Sequence, residues 1–311
     1  MIKSTIHFMK IRNVAFVITV LITIVGLVSL FHKGLNLGLD FTGGTSIELL
    51  YEKPADLEKI RLELATAEPG QEQKFDDAIV QSFGSTNSVL IRLKNDEANV
   101  GNLVAAKLHR IDPDNKFELI SAETVGAQVG KELLDKGGIA CLLALAGILI
   151  YLAFRFQWKF GLGAIASLFH DLIVTLGVIA FFQIPVDLTV FAAILAMIGY
   201  SLNDTIIIYD RVRENFRVLR KADIIENIDV SVTQTLLRTI ATSTSTAMAL
   251  IALLIFGGPS LGGFALVMLI GVFVGTYSSI YIAGPVLVWL KLTREDLLPP
   301  PSSQDLKEQH P

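Results

Sequence analysis

Apolar residues in this chain come in long blocks, and the polar ones are gathered between them. Six blocks of roughly 18–30 residues carry few charges, the length a helix needs to cross a bilayer. They are residues 14–31, 137–154, 161–182, 188–209, 238–256 and 261–290. Lys3, Lys10 and Arg12 precede the first block, as they would a signal peptide. That block is longer than a leader's usual apolar core and lacks an A-x-A exit, so it is read as an uncleaved span. The sixth is long enough to tilt or to extend past the membrane.

Between the first two blocks lies the one sizeable polar region, residues 35–135. Residues 45–52 alternate as a strand, and 54–68 open on a proline and continue with helical periodicity. Residues 75–83 and 87–93 form a strand pair across a short Gly-Ser-Thr turn. Residues 96–111 have a second helical pattern, and 116–125 a last strand. The order βαββαβ predicts a ferredoxin-like split motif, an antiparallel sheet with two helices on one face. About 90 residues suffice for a small core of its own. The expected fold class is thus an α-helical polytopic membrane protein with six spans and one extracytoplasmic α+β domain.

Composition agrees. Of 311 residues, 52% are hydrophobic and 18% charged, with mean hydropathy +0.56; a soluble domain carries about 25% charged residues. The net charge of -4 is small, and no basic run with interleaved aromatics points to nucleic acid. The single cysteine, Cys141, has no internal disulfide partner. Charge in the short loops orients the chain. Residues 155–159 and 210–221, and Lys291 with Arg294, are basic, whereas 183–187 and 257–260 have no Lys or Arg. Both termini are therefore expected in the cytoplasm and residues 35–135 outside. Lys131 and Lys136 run against the trend. The expected divisions are 1–34, the cytoplasmic N-terminus and first span; 35–135, the outer domain; 136–292, spans two to six; and 293–311, a Pro- and Ser-rich tail expected to be disordered.

Candidate chemistry lies inside the spans. A charge there costs about 2.5–3.5 kcal/mol on insertion scales, so each one should face a partner, water or a pathway. The candidates are His170 and Asp171 in span three, Asp204 in span four and Arg238 at the mouth of span five. At about 1.5 Å per residue, Asp171 lies about 15 Å from the cytoplasmic entry and Asp204 about 24 Å from the outer one. Asp204 and Arg238 then share a depth. Ser201 precedes Asp204 by three residues on nearly the same face, and Thr242 to Thr246 continue span five with hydroxyls. Together these predict a hydrated polar path. A proton relay needs a carboxylate poised between burial and a cation, which Asp204 and Arg238 supply. His170 and Asp171 are adjacent, do not share a helix face and are not expected to pair. The G-x-x-x-G of Gly271 and Gly275 predicts a close helix contact. No G-x-S-x-G or metal-ligand cluster accompanies Ser201 and His170, and no phosphate loop is present; no cofactor or metal, no hydrolase and no ATP-driven transport is expected.

Seven stretches carry a resemblance: GLDFTGGT (38–45), ETVGAQVG (123–130), FRFQWKFG (154–161), HDLIVTLG (170–177), IGYSLNDTIIIYDRVRENFR (198–217), SVTQTLLRTIATS (231–243) and GTYSSIYIAGP (275–285). In this order they resemble the SecD/SecF family of bacterial preprotein-translocase membrane subunits, within the resistance-nodulation-division superfamily. The likeness covers nearly all of the chain except the tail and parts of the outer region. Ala127 departs from it, standing where the family commonly has proline, which bears on the bend entering span two.

The resemblance implies a non-enzymatic, proton-driven subunit of the bacterial inner membrane. Its implied partners are SecD, the SecYEG channel, YajC, membrane lipid and the unfolded preprotein. It implies that Asp204 binds the transported proton and that Arg238 works with it; Asp171 and Asn203 match motif positions. The alternative is a half-size proton-coupled exporter of lipids or drugs from the same superfamily. Such exporters usually repeat the six-span unit in one chain with larger outer domains.

Overall fold

The computed structural model describes residues 5–66, 75–83, 85–97, 99–111, 115–219 and 221–297. The chain enters through a 3-10 turn, Phe8–Ile11, and the first spanning helix, α1 (Arg12–Lys33). A short helix, α2 (Leu39–Thr42), leads into β1 (Gly44–Tyr51), α3 (Leu57–Ala65), β2 (Ile79–Phe83), β3 (Ser85–Leu93), α4 (Val100–Ile111) and β4 (Phe117–Val125). Five more long helical segments follow: α5 (Ala127–Arg155), α6 (Trp158–Phe182), α7 (Leu188–Val218), α8 (Ile224–Phe256) and α9 (Pro259–Tyr281), the last continued by α10 (Ala283–Trp289). Among the described residues, six segments are long and apolar enough to cross a membrane.

The βαββαβ order is the expected one, and the sheet runs β2-β3-β1-β4 with every pairing antiparallel. Alternation along the strands decides its faces. Ile47 and Leu49 of β1, and Val89, Ile91 and Leu93 of β3, turn toward Ile60 and Leu64 of α3 and Val100, Val104 and Leu108 of α4, forming a separate apolar core. Asp56 starts α3 by accepting the Glu58 and Lys59 backbone N–H groups at 3.1 Å each, which satisfies two donors that a helix start leaves over. The opposite face carries Ser46, Glu48, Leu90, Arg92, Ser121 and Glu123 and overlies the loops joining the spans, enclosing a cleft of about 330 Å³. Burial there lowers the Arg92 pKa, and the charge of Asp187 works against that shift.

Several helices are longer than the apolar blocks that revealed them. Helix α5 begins at Ala127, ten residues before the block, and α8 begins at Ile224, fourteen before. The sixth block is two helices rather than one. Pro285 has no N–H for the Tyr281 carbonyl and its ring crowds that carbonyl; the helix breaks at Ile282 (φ -120°, ψ -58°). At the departure noted above, Ala127 keeps an N–H that proline would lack, and Asp96 Oδ2 accepts it at 3.3 Å. Residues 293–297 turn back on the bundle. Lys159 Nζ meets Asp296 Oδ2 at 2.6 Å, and its hydrogen bond, with those of Thr293, holds the Asp296 carboxyl below its ordinary range. The rest of the expected tail, 298–311, lies outside the described residues.

Small residues set the packing of the bundle. Gly26 of α1 and Gly177 of α6 touch backbone to backbone, so a Cβ on Gly177 would collide with Gly26. In α9, a Cβ on Gly271 would run into the Met197 side chain, and one on Gly275 into Ser201. The G-x-x-x-G contact therefore forms within the chain, against α7. Gly271→Leu should overpack this seam and cost about 1–3 kcal/mol, visible as a lower Tm in detergent. Gly262→Leu, where a Cβ meets nothing within 4 Å, should leave the Tm nearly unchanged. Equal melting of the two variants would refute the assignment.

The glycine-rich segment after α1 ties the outer domain to the bundle. The Gly38 N–H donates to the Val186 carbonyl (2.7 Å), the Val186 N–H to the Asn36 carbonyl (2.8 Å) and the Leu188 N–H to Asp40 Oδ2 (2.8 Å). Asp187 caps α7 through the Val190 N–H at 2.7 Å. The first turn of α7 is thus bonded to the strap that leads into β1.

Candidate intramembrane polar site

The 3.6-residue period of α7 sorts its polar residues onto two faces. Ser201, Asp204 and Thr205 fall inside the bundle, and Asn203 falls outside, exposed. Asp204 is 1% exposed, and neither carboxylate oxygen has a hydrogen-bond partner among the described residues. A buried carboxylate normally carries several bonds, so this group is set apart from every other acid in the bundle.

Asp171 of α6 is equally buried but fully dressed. Ser278 of α9 donates to its Oδ2 at 2.7 Å, and Ser201 of α7 donates to the same oxygen. Ser167 donates to Ser278 Oγ at 2.9 Å. His170 Nδ1 lies 3.0 Å from Asp171 Oδ1. This corrects the expectation that the two would not pair. Neighbours on a helix diverge by about 100°, but the imidazole is long enough to fold back onto the adjacent carboxylate. The box joins three helices through one acid. Neither Ser167 nor Ser278 was singled out from the sequence; the signal for them was two serines in otherwise apolar helices.

Arg238 does not join this interior. It is exposed on the outer face of α8, and no ion pair with Asp204 forms within 4.0 Å, although its charge acts on that carboxylate. The direct contact that a shared depth suggested does not form: at 100° per residue, the residue that α8 turns into the bundle is the neighbouring Thr239, which is 1% exposed. Two hydroxyls of the run are spent on their own helix. Thr242 donates to the Arg238 and Thr239 carbonyls and Ser245 to the Thr242 carbonyl, each at 3.0 Å. Only Ser243 reaches across, to Thr276 Oγ1 at 2.8 Å and to the Tyr200 hydroxyl at 3.4 Å.

Chemically, the arrangement holds one satisfied carboxylate that ties helices together and one unsatisfied carboxylate free to exchange a proton. A cation lies close by on the outside of the chain. Six spans around such a group define a multi-pass membrane protein.

The chain belongs to the family of SecD/SecF protein export membrane proteins. The model of that family's C-terminal region matches residues 104–293, and the SecD/SecF GG motif matches residues 28–55. The chain is 59% identical over 297 residues to the protein translocase subunit SecF of Pseudomonas aeruginosa, covering 96% of this chain and 95% of that one. The corresponding subunit of Vibrio alginolyticus is 45% identical (96% and 94% covered), and that of Escherichia coli O157:H7 is 41% identical (95% and 91%). Among solved structures, the translocon-associated membrane protein SecDF of Thermus thermophilus superposes with a TM-score of 0.81 at 34% identity. That match covers 93% of this chain, and this chain spans 39% of the SecDF chain. The protein is accordingly a multi-pass protein of the bacterial inner membrane with an accessory role in Sec-type translocation.

Proposed function

We propose that the chain pairs with SecD beside the SecYEG channel and uses the proton motive force to drive late steps of preprotein movement. In this reading it is a transport subunit and not an enzyme. Asp204 takes up and releases the proton, Arg238 tunes it from the outer face of α8, and Ser201, Asp171 and Asn203 complete the polar surroundings. The observation that carries the reading is Asp204: buried, without a hydrogen-bond partner among the described residues, on a helix bonded at its other end to the outer domain. Exposed Arg238 and Asn203 suit contact with a second membrane chain, since lipid would not solvate them. The SecDF chain, of which this one spans 39%, has room for that second half.

The proposed topology follows the basic loops: both termini in the cytoplasm, residues 35–135 in the periplasm as a domain, residues 136–292 in the membrane, and 293–311 as a cytoplasmic tail. The exporter reading is weaker, because this chain carries one six-span unit with one small outer domain, whereas such exporters usually repeat the unit in one chain with larger outer domains. The test uses vesicles holding the chain with SecD and SecYEG and a preprotein arrested midway. An imposed proton gradient should speed completion of transport after ATP is removed. The same rate with the gradient intact and collapsed would refute the reading.

A further inference from the structure

Helix α8 carries Asn227, Ser231, Thr235 and Thr239 at every fourth position, and all four are buried. That spacing puts them on one face. The face lies against α7, since Asn215 Nδ2 donates to Ser231 Oγ at 2.8 Å and to Gln234 Oε1 at 3.0 Å. A helix that only had to pack would place apolar residues here, as α7 does opposite with Ile208 and Val212. The middle of the stripe is satisfied. Ser231 donates to the Asn227 carbonyl (2.7 Å) and Thr235 to the Ser231 carbonyl (3.0 Å). Its two ends are not: Asn227 Nδ2 and Thr239 Oγ1 are buried without a partner among the described residues.

The helices are antiparallel, and their register is fixed by Asn215 against Ser231 and by Tyr200 against Ser243. Asp204 falls between these ties, opposite the turn that begins at Thr239. The unpartnered end of the stripe therefore comes level with the unpartnered carboxylate, with no direct hydrogen bond between them. The other end, Asn227, lies near the start of α8, and the stripe opens between Ser231 and Thr235 beside Gln234, which is exposed.

We infer that this stripe is the cytoplasmic proton route of Asp204, with Thr239 as its first carrier. The inference rests on the function proposed above. Buried polar groups without protein partners are where internal water binds, and hydroxyls can accept and donate at once. A water between them takes the proton from the Asp204 carboxyl and passes one of its own to Thr239 Oγ1, which releases its hydroxyl proton to water beside Thr235. The hydroxyl then rotates back, with no net change in bonds. Ser231, Asn215 and Gln234 lead the water chain to the cytoplasm.

The test uses inverted membrane vesicles holding the chain with SecD and SecYEG, with Cys141→Ser as background. Thr239→Cys, Thr235→Cys and Ser231→Cys are probed with a small charged thiosulfonate added at the cytoplasmic face. Ile208→Cys and Val212→Cys on the apolar wall are the controls. Each unit that a dry setting adds to a thiol pKa lowers the reactive thiolate about tenfold, so the stripe should label at least about tenfold faster than the wall. In the transport assay, Thr239→Val should slow gradient-driven completion several-fold, and Thr239→Ser should restore it. Stripe cysteines no faster than the wall overturn the inference, and so does a Thr239→Val chain that works like wild type. If Asp204→Asn abolishes the gradient response while the stripe stays silent, the stripe alone fails. If Asp204→Asn keeps the response, the proposed function fails first.

Discussion

Asp204→Asn should leave the chain folded and bound to SecD, yet cut gradient-driven completion of transport to the rate seen with the gradient collapsed. Folding is spared because the carboxylate accepts no hydrogen bond among the described residues, so the amide breaks none, and the Asp171 box stays intact. Function is lost because an amide cannot ionise. A charge that crosses the full membrane potential yields about 2.3 kcal/mol per 100 mV. About 1.4 kcal/mol is a factor of ten in an equilibrium, so one proton per cycle can bias a two-state movement more than tenfold. The bonds from Leu188 to Asp40 and from Gly38 to Val186 pass a shift of α7 to the base of the outer domain. Asp204→Glu keeps an ionisable group and should retain part of the response. The measurement is completion of an arrested preprotein after ATP is removed. A wild-type rate in Asp204→Asn would make Asp204 structural and leave Asp171 as the next carboxylate to try.

The six spans and the βαββαβ order could be read from the sequence because each rests on local periodicity. The long apolar blocks need no knowledge of neighbours, and neither does the alternation around Ile47 and Leu49. What could not be read depends on partners distant in the chain. Ser278 reaches Asp171 across 107 residues, and no pattern near either residue announces the other. Arg238 and Thr239 are adjacent, and only the rotation of α8 against α7 decides which of them is turned into the bundle. The start of α8 was missed for a related reason. Asn227, Ser231 and Thr235 lower the local hydropathy, although all three are buried against another helix rather than in solvent. The break at Ile282 was legible in Pro285 but was outweighed by an unbroken run of apolar residues.

Gly44→Ala should be among the most damaging single changes in the outer domain. Gly44 opens β1 with φ +114°, a conformation that L side chains rarely adopt. It is also held between two strands, with Gly44 opposite Val125 on one side and Thr45 opposite Leu93 on the other. A Cβ there would be driven into the Leu93 carbonyl oxygen, which is backbone and has no rotamer to yield. Gly43 beside it, at φ +71°, would strike the Ala127 backbone at the start of α5. The junction can thus be relieved only by parting β1 from β3 or by shifting α5. Backbone strain of this kind costs about 1–3 kcal/mol, and the overpacking adds about 1–3 more. Gly138→Ala is the contrast. Its Cβ meets nothing within 4 Å inside α5, and alanine favours a helix over glycine by about 1 kcal/mol. Limited proteolysis of the full chain in detergent should cut the outer domain of Gly44→Ala far faster than that of wild type, while Gly138→Ala resists as well as the parent. Equal resistance in Gly44→Ala would mean that β1 can leave β3 at its first residue without loss, and that the double glycine is not what fixes the outer domain to the bundle.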